Sequence, residues 1–541
     1  MKNDFIDKNS FSSLNLEFFK TELELLSEPG IIFDKNFQPF KTNQKKQLED
    51  YYKKIRSLSQ NITKNKSLKS KLNNNLVHIE NITSIIKKST NTECLELTEL
   101  FSVKKYLYFY ERIRKALNKT SFTEHFEMND FSDLLAFLSL GQHDTPSFHL
   151  SDKFSNELKK NRNEIIELKS KLKREHLKAM EKARLELNLQ SIEEEFIVSR
   201  KSKDKIEKIM TSKWFRLESE NFANLNFHFR DPDSIFAIKE SIRKKSKEIQ
   251  KVEKKARTQI TEKIFENADN LETSVRKIGM LDFLFIRAKF MEKNQCIIPK
   301  ISDSRKIDIT NSVNLPLKKE LHNLNLSYQA LDIELSKKIN IFTGANMAGK
   351  TTILKTVGQF VYLTANAVPL PCSSANIPLV DFIFFIGPDS ETKRMDLSSF
   401  ANEVVSLNKQ LEKTDGLFLI DEFARGTNPE EGKAFTLAVL ENFLAKEDII
   451  LTATHFDFKI DSSMVEHYQI NGINPEEMEN LRKDQTAILE NRLKHLHKYI
   501  DYSFHKVDVD ETPPRAALTI AKALGINPKI IKRAKKLLLQ K

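Results

Sequence analysis

The chain has 541 residues, enough for two to four domains with their own cores. With 40% hydrophobic and 30% charged residues it is globular rather than disordered, and no run approaches the roughly 20 apolar residues of a membrane span. The net charge of +12 is uneven: residues 331–541 hold 26 basic and 28 acidic side chains, so the remainder carries an excess of 14 positive charges.

Met1 to Ser10 is polar and lacks the apolar core of a secretory signal. The three cysteines, Cys94, Cys296 and Cys372, are too scattered for a disulfide framework or a metal site, so a cytoplasmic setting is expected. Residues 1–150 read as a helical domain with polar connections at 27–30 and 141–146. Residues 151–290 read as a long helical arm. Leu158, Ile165, Leu172 and Ala179 recur every seven residues from about 154 onward, with Leu168 between them. A second long helix is predicted over about 234–277, with Ile242, Ile249 and Ala256 in heptad spacing and Val252 on the same seam. Between these helices the runs at 196–198, 214–217 and 225–229 predict a small sheet. The basic side chains of this region are interleaved with Glu. They suit solvated helix faces as well as a phosphate backbone.

After about Gln295 the pattern changes. Short apolar runs at 340–343, 382–386, 417–420 and 449–452 predict strands, and helices fit 350–367, 398–413 and 430–445. Such alternation predicts an α/β domain with a largely parallel sheet over 291–475. Seven of the twelve glycines fall between Gly344 and Gly432, so tight turns gather there. Residues 476–541 read as a helical segment ending in two helices, 516–524 and 528–539, broken by Gly525.

Three segments of this α/β region carry chemistry. Residues 344–351, Gly344-Ala345-Asn346-Met347-Ala348-Gly349-Lys350-Thr351, follow an apolar strand and open a helix, as a phosphate-binding loop requires. The spacing gives Lys350 reach to the β- and γ-phosphates of ATP and gives the Thr351 hydroxyl to Mg²⁺. Four apolar residues precede Asp421-Glu422, which places Asp421 to hold Mg²⁺ and Glu422 to polarise the attacking water. His455 follows the strand at 449–452, where it can meet a γ-phosphate oxygen.

The segment Thr343 to Thr352, with its Asn346-Met347 pair, resembles the phosphate loop of the MutS family of mismatch-repair ATPases. Asp421-Glu-Phe-Ala-Arg-Gly-Thr427, Ser398-Ser-Phe-Ala-Asn-Glu403 and Ala453-Thr-His455 resemble three further segments of that family in the same order. Weaker likeness covers Asp282 to Lys289 and Gly525 to Ala534. Ala345 and Ala348 stand where the family usually has Pro and Gly. The resemblance implies an α/β P-loop ATPase domain of the ABC/MutS type, preceded by a mostly helical region with a long arm. It also implies a homodimer with shared ATP sites, in which Ser398 of one subunit caps the nucleotide of the other. Thr352 joins the loop residues that hold the nucleotide. Phe122-Thr-Glu124 has the spacing of the family's mismatch-reading pair, but its position and flanks do not fit. A motor without the mismatch reader is therefore expected. Two clients are compatible with such a motor, and the first is the one expected. One is an adenosylcobalamin-dependent lysine aminomutase, reactivated by ATP-driven remodelling. The alternative is a DNA duplex or junction, as in mismatch repair or recombination control.

Overall fold

The computed structural model describes residues 4–90, 94–344, 349–388, 399–456, 460, 462–473, 500–507, 518, 521 and 526–538. The chain divides into two compact units. One comprises residues 78–114 and 128–277; the other comprises 1–77, 115–127 and 278–541. The first 150 residues are thus shared between the two.

In the unit built from 78–114 and 128–277, helices Asn156–Glu186 and Asp233–Phe265 lie along one another. Leu158, Ala179, Val252 and Ala256, all on the predicted heptads, are buried between the helices and their neighbours. Arg162 ties the pair together by donating to Glu253 at 2.8 Å, and Lys245 pairs with Glu164 at 2.7 Å. The second helix, predicted as one over about 234–277, is divided in two. It stops at Phe265 and a new helix runs Ala268–Lys293. Asn267 makes the break: its side-chain Nδ2 donates to Lys263 O in competition with the helix ladder, while its carbonyl accepts the first bond of the next helix, from Leu271 N.

The long helices carry the small sheet, β1 (Glu195–Ser199), β2 (Phe215–Glu220) and β3 (Asn224–Phe229), in the antiparallel order β1-β3-β2. Alternation along β3 turns Leu225, Phe227 and Phe229 inward. They pack with Val198, Phe215, Trp214, Ala183 and Ile235 into one core.

The other unit holds two sheets. A four-stranded sheet orders β4 (Lys300–Ser302), β8 (Ser374–Pro378), β5 (Ile307–Ser312) and β6 (Leu331–Leu335). The main sheet combines β7 (Ile339–Thr343), β9 (Phe382–Ile386), β10 (Gly416–Asp421), β11 (Ile449–Ala453), β12 (Val465–Ile473) and β13 (Ile500–Lys506) in the order β13-β12-β7-β11-β10-β9. Only β13 runs antiparallel to its neighbour. Every residue of β9, β10 and β11 is buried, the unbroken apolar run of a parallel strand covered on both faces. Helices Lys350–Ala365, Ser399–Asn408 and Pro429–Phe443 match the predicted ones.

The N-terminal residues complete this unit. Ile6 bridges Ile383 in parallel, Ile383 N donates to Phe5 O at 2.7 Å, and Phe385 N donates to Ser10 Oγ at 2.8 Å. They cap the otherwise open edge of β9. Gln359 Nε2 donates to Leu14 O, and Phe40 N donates to Ala365 O. Phe122 is 0% exposed and stacks on Phe126, which makes it core rather than a probe of DNA. Among the described residues no helix is long and apolar enough to cross a membrane.

Candidate functional site

Parallel register builds the site. Phe342 of β7 pairs with Ala453 of β11, which pairs with Asp421 of β10, so three strands end at one level. The segments leaving these strands therefore meet at one sheet edge: the loop from Gly344, the turn at Glu422, and His455.

Gly349 caps the helix Lys350–Ala365 with φ +97, and a Cβ there would lie 2.7 Å from the Tyr502 ring. Backbone geometry and space both demand glycine. Lys350 folds back so that its Nζ donates to Gly344 O at 2.7 Å. It is buried, which pushes its pKa below the usual lysine value against the opposing pull of Glu422 and Asp421. Thr351 Oγ1 donates to Asp421 Oδ2 at 2.6 Å. Burial raises the Asp421 pKa to about 6, opposed by the Thr351 hydroxyl and reinforced by neighbouring Glu422. Its second oxygen, Oδ1, is buried with no hydrogen-bond partner. A hydroxyl beside a carboxylate with one buried, unsatisfied oxygen is a hard-ligand pair that fits Mg²⁺. Gly387, at the end of β9, makes room for it, since a Cβ there would stand 2.9 Å from Asp421 Cβ.

Glu422 and Ala424 both adopt positive φ, +49 and +60, in a turn strained for side-chain-bearing residues. Three anchors hold it. Glu422 N donates to Ala453 O at 2.8 Å, the buried Phe423 stacks on Phe435, and Ala424 N donates to Glu403 Oε2 at 3.0 Å. Burial raises the Glu403 pKa. The Glu422 carboxylate accepts from Arg425 Nη1 at 2.7 Å. Desolvation lowers the His455 pKa, Glu422 opposes this, and Lys350 and Arg425 add to it.

The structure thus brings together Gly344, Gly349, Lys350, Thr351, Thr352, Asp421, Glu422 and His455. Ala345, Asn346, Met347, Ala348 and Ser398 lie outside the described residues. Glu403, Gly387 and Arg425 are site residues to which the sequence pattern assigns no role. Glu403 and Arg425 sit inside the family-like segments, and that placement is the one signal the sequence offers for them.

A parallel sheet with a phosphate loop after one strand and paired carboxylates after another defines a P-loop ATPase domain. Residues 340–540 match the family model for MutS domain V. They form a MutS-family ATPase domain. The chain is similar to Endonuclease MutS2 of Clostridium tetani, 30% identical over 224 residues, which is 40% of this chain and 27% of that protein. It is 26% identical to Endonuclease MutS2 of Acetivibrio thermocellus over 319 residues, 58% of this chain and 37% of the relative. For Endonuclease MutS2 of Thermotoga maritima the figures are 28% over 231 residues, 42% and 30%. The chain therefore spans well under half the length of these relatives.

Proposed function

We propose that this chain is a dimeric MutS-type ATPase that couples ATP binding and hydrolysis to conformational work on DNA. The observation that carries the ATPase part is the Thr351–Asp421 pair with its unsatisfied carboxylate oxygen, set beside Lys350 and Glu422 at one sheet edge. Thr351 and Asp421 would hold Mg²⁺, which when bound neutralises phosphate charge and orients phosphate oxygens. Lys350 exchanges its internal bond to Gly344 O for the β- and γ-phosphates. Glu422, released from Arg425, accepts a proton from the water whose oxygen bonds to the γ-phosphorus as the bridging P–O bond to ADP breaks. His455 meets the γ-phosphate from the end of β11. In the dimer Ser398 offers its hydroxyl to the partner's nucleotide, so that ATP closes two subunits and hydrolysis releases them. The paired long helices serve as the arm that reaches the client in a cytoplasmic setting.

DNA is the client the observations favour. The relatives found carry the name endonuclease, and residues 1–330 hold the excess of 14 positive charges. The aminomutase client has the general plan of the chain in its favour and nothing among these relatives. The test is ATP turnover by the purified chain, with duplex and junction DNA binding measured across salt concentrations. Lys350→Ala should lose on the order of 10²-fold or more in turnover. DNA affinity should fall linearly on a log–log salt plot. Absence of DNA binding at low salt, together with ATP-dependent recovery of an inactivated aminomutase, would overturn the DNA reading.

A further inference from the structure

The small sheet buries Phe215, Phe227 and Phe229 and half-buries Phe196, but one ring nearby is left bare. Phe215, Phe227 and Phe229 are each at most 3% exposed, whereas Phe222 is 102% exposed. It sits in the turn between β2 and β3, and that turn is fixed. Asn221 Oδ1 accepts from Ala223 N at 2.9 Å and from Asn224 N at 2.7 Å. Arg200 braces it from the end of β1, with its backbone N on Ala223 O, its Nε on Asn221 O and its Nη2 on Glu220 Oε2. A large apolar ring is thus held out into water on a pre-ordered support. Such a ring gains free energy only when something covers it.

The surroundings specify what covers it. Directly after Arg200 come Lys201, Lys203, Lys205 and Lys208, against Asp204 and Glu207. The four lysines line a cavity of about 400 Å³ together with Asp204, Ser202 and the chain at 187–189. A bare flat ring on a turn held by Arg200, the residue that leads into these lysines, is a combination that suits a single nucleic-acid strand, the ring stacking on a base while cations take the phosphates. Bases inside a duplex have both faces covered by neighbours, so the ring needs an unpaired base.

We propose that Phe222 stacks on an unpaired base of DNA, with Lys201 and Lys203 on the adjoining phosphates, so that this hairpin selects single-stranded segments over plain duplex. The inference rests on the proposed DNA client and names the feature of DNA that the small sheet recognises. No energetic contribution of Phe222 to folding stands in the way of testing it, because the ring touches solvent on all sides.

The experiment uses the full chain and two fluorescent oligonucleotides, one single-stranded with a 2-aminopurine reporter and one fully paired. Phe222→Ala should weaken single-strand binding about tenfold and abolish the quenching of 2-aminopurine that stacking produces. Phe222→Trp should retain both. Phe222→Leu, apolar but not aromatic, should behave as the alanine variant. Duplex affinity and ATP turnover should stay unchanged in all three. Lys201→Gln with Lys203→Gln should flatten the salt slope for the single strand by about 1 to 2. Equal single-strand affinity of the unaltered chain and Phe222→Ala, with duplex still bound, overturns this inference alone. Leucine matching tryptophan does the same, since it shows simple apolar burial. If the unaltered chain binds neither oligonucleotide, the DNA reading itself falls.

Discussion

Asp421 sits in a conflict between folding and function. Burial holds its pKa at about 6, whereas the same carboxyl in an unfolded chain ionises near 4. As pH rises through that window the unfolded carboxyl gives up its proton first, so the nucleotide-free chain loses stability on going from about pH 4 to about pH 6. Mg²⁺ needs the ionised form, so Mg²⁺–nucleotide binding should weaken by up to about tenfold per pH unit below about 6. Titration calorimetry at pH 5 and 7.5 checks this, and equal affinities would contradict it. Asp421→Asn keeps an acceptor for Thr351 and removes the buried charge. It should unfold at higher temperature than the parent at pH 7.5 without Mg²⁺, a gain of about 1–3 kcal/mol, and bind no Mg²⁺. Glu422→Gln should bind ATP normally and slow turnover about 10²–10⁴-fold, so that the ATP-bound dimer accumulates in size-exclusion chromatography. Normal turnover in this variant would remove Glu422 from the role of base.

Elements explain why those residues can act. The turn after β10 places Glu422 at φ +49, and its strain is sustained by the bond from Ala424 N to Glu403. Glu403→Ala should therefore lower kcat by about tenfold or more with little change in KM for ATP, whereas Glu403→Gln, still an acceptor, should stay near the parent. A large rise in KM alone would show that Glu403 acts on nucleotide binding instead. Strands β7, β9, β10 and β11 were legible because parallel strands covered on both faces spell mostly apolar runs, and the phosphate loop because its glycine spacing is so constrained. The break at Asn267 was not, since neither Gly nor Pro marks it and a capping side chain alone interrupts the helix. Nor was the role of Glu403, which depends on a contact 21 residues away in sequence.

At the scale of the whole molecule, the proposed shared-site dimer makes a prediction that neither variant alone can meet. Lys350→Ala lacks its own phosphate loop cation, and Ser398→Arg cannot cap its partner. If the sites are shared as proposed, mixing them gives one intact composite site per heterodimer, which should recover up to about half the turnover of the parent. Heterodimers that form without regaining activity would show that each subunit works from its own residues. The division of the chain into units had no counterpart in the sequence pattern either. Residues 1–77 look like any polar-linked helical run, yet they belong to the same compact unit as β7 to β13. Contacts between Ser10 and Phe385 leave no local periodicity to read.

That strap along β9 also sets a timetable. Ser10 and Phe385 are 375 positions apart, a separation that a ribosome adding about 5–20 residues per second covers in roughly 20 to 75 seconds. Throughout that interval Phe5, Leu14 and Leu16, all buried at the end, lack the strand that their segment finally lies against. Until β9 emerges these apolar side chains stay open to contact with other apolar surfaces. A truncated ATPase fragment begun after residue 77 inherits the opposite fault, an uncovered strand edge open to pairing with its own copies.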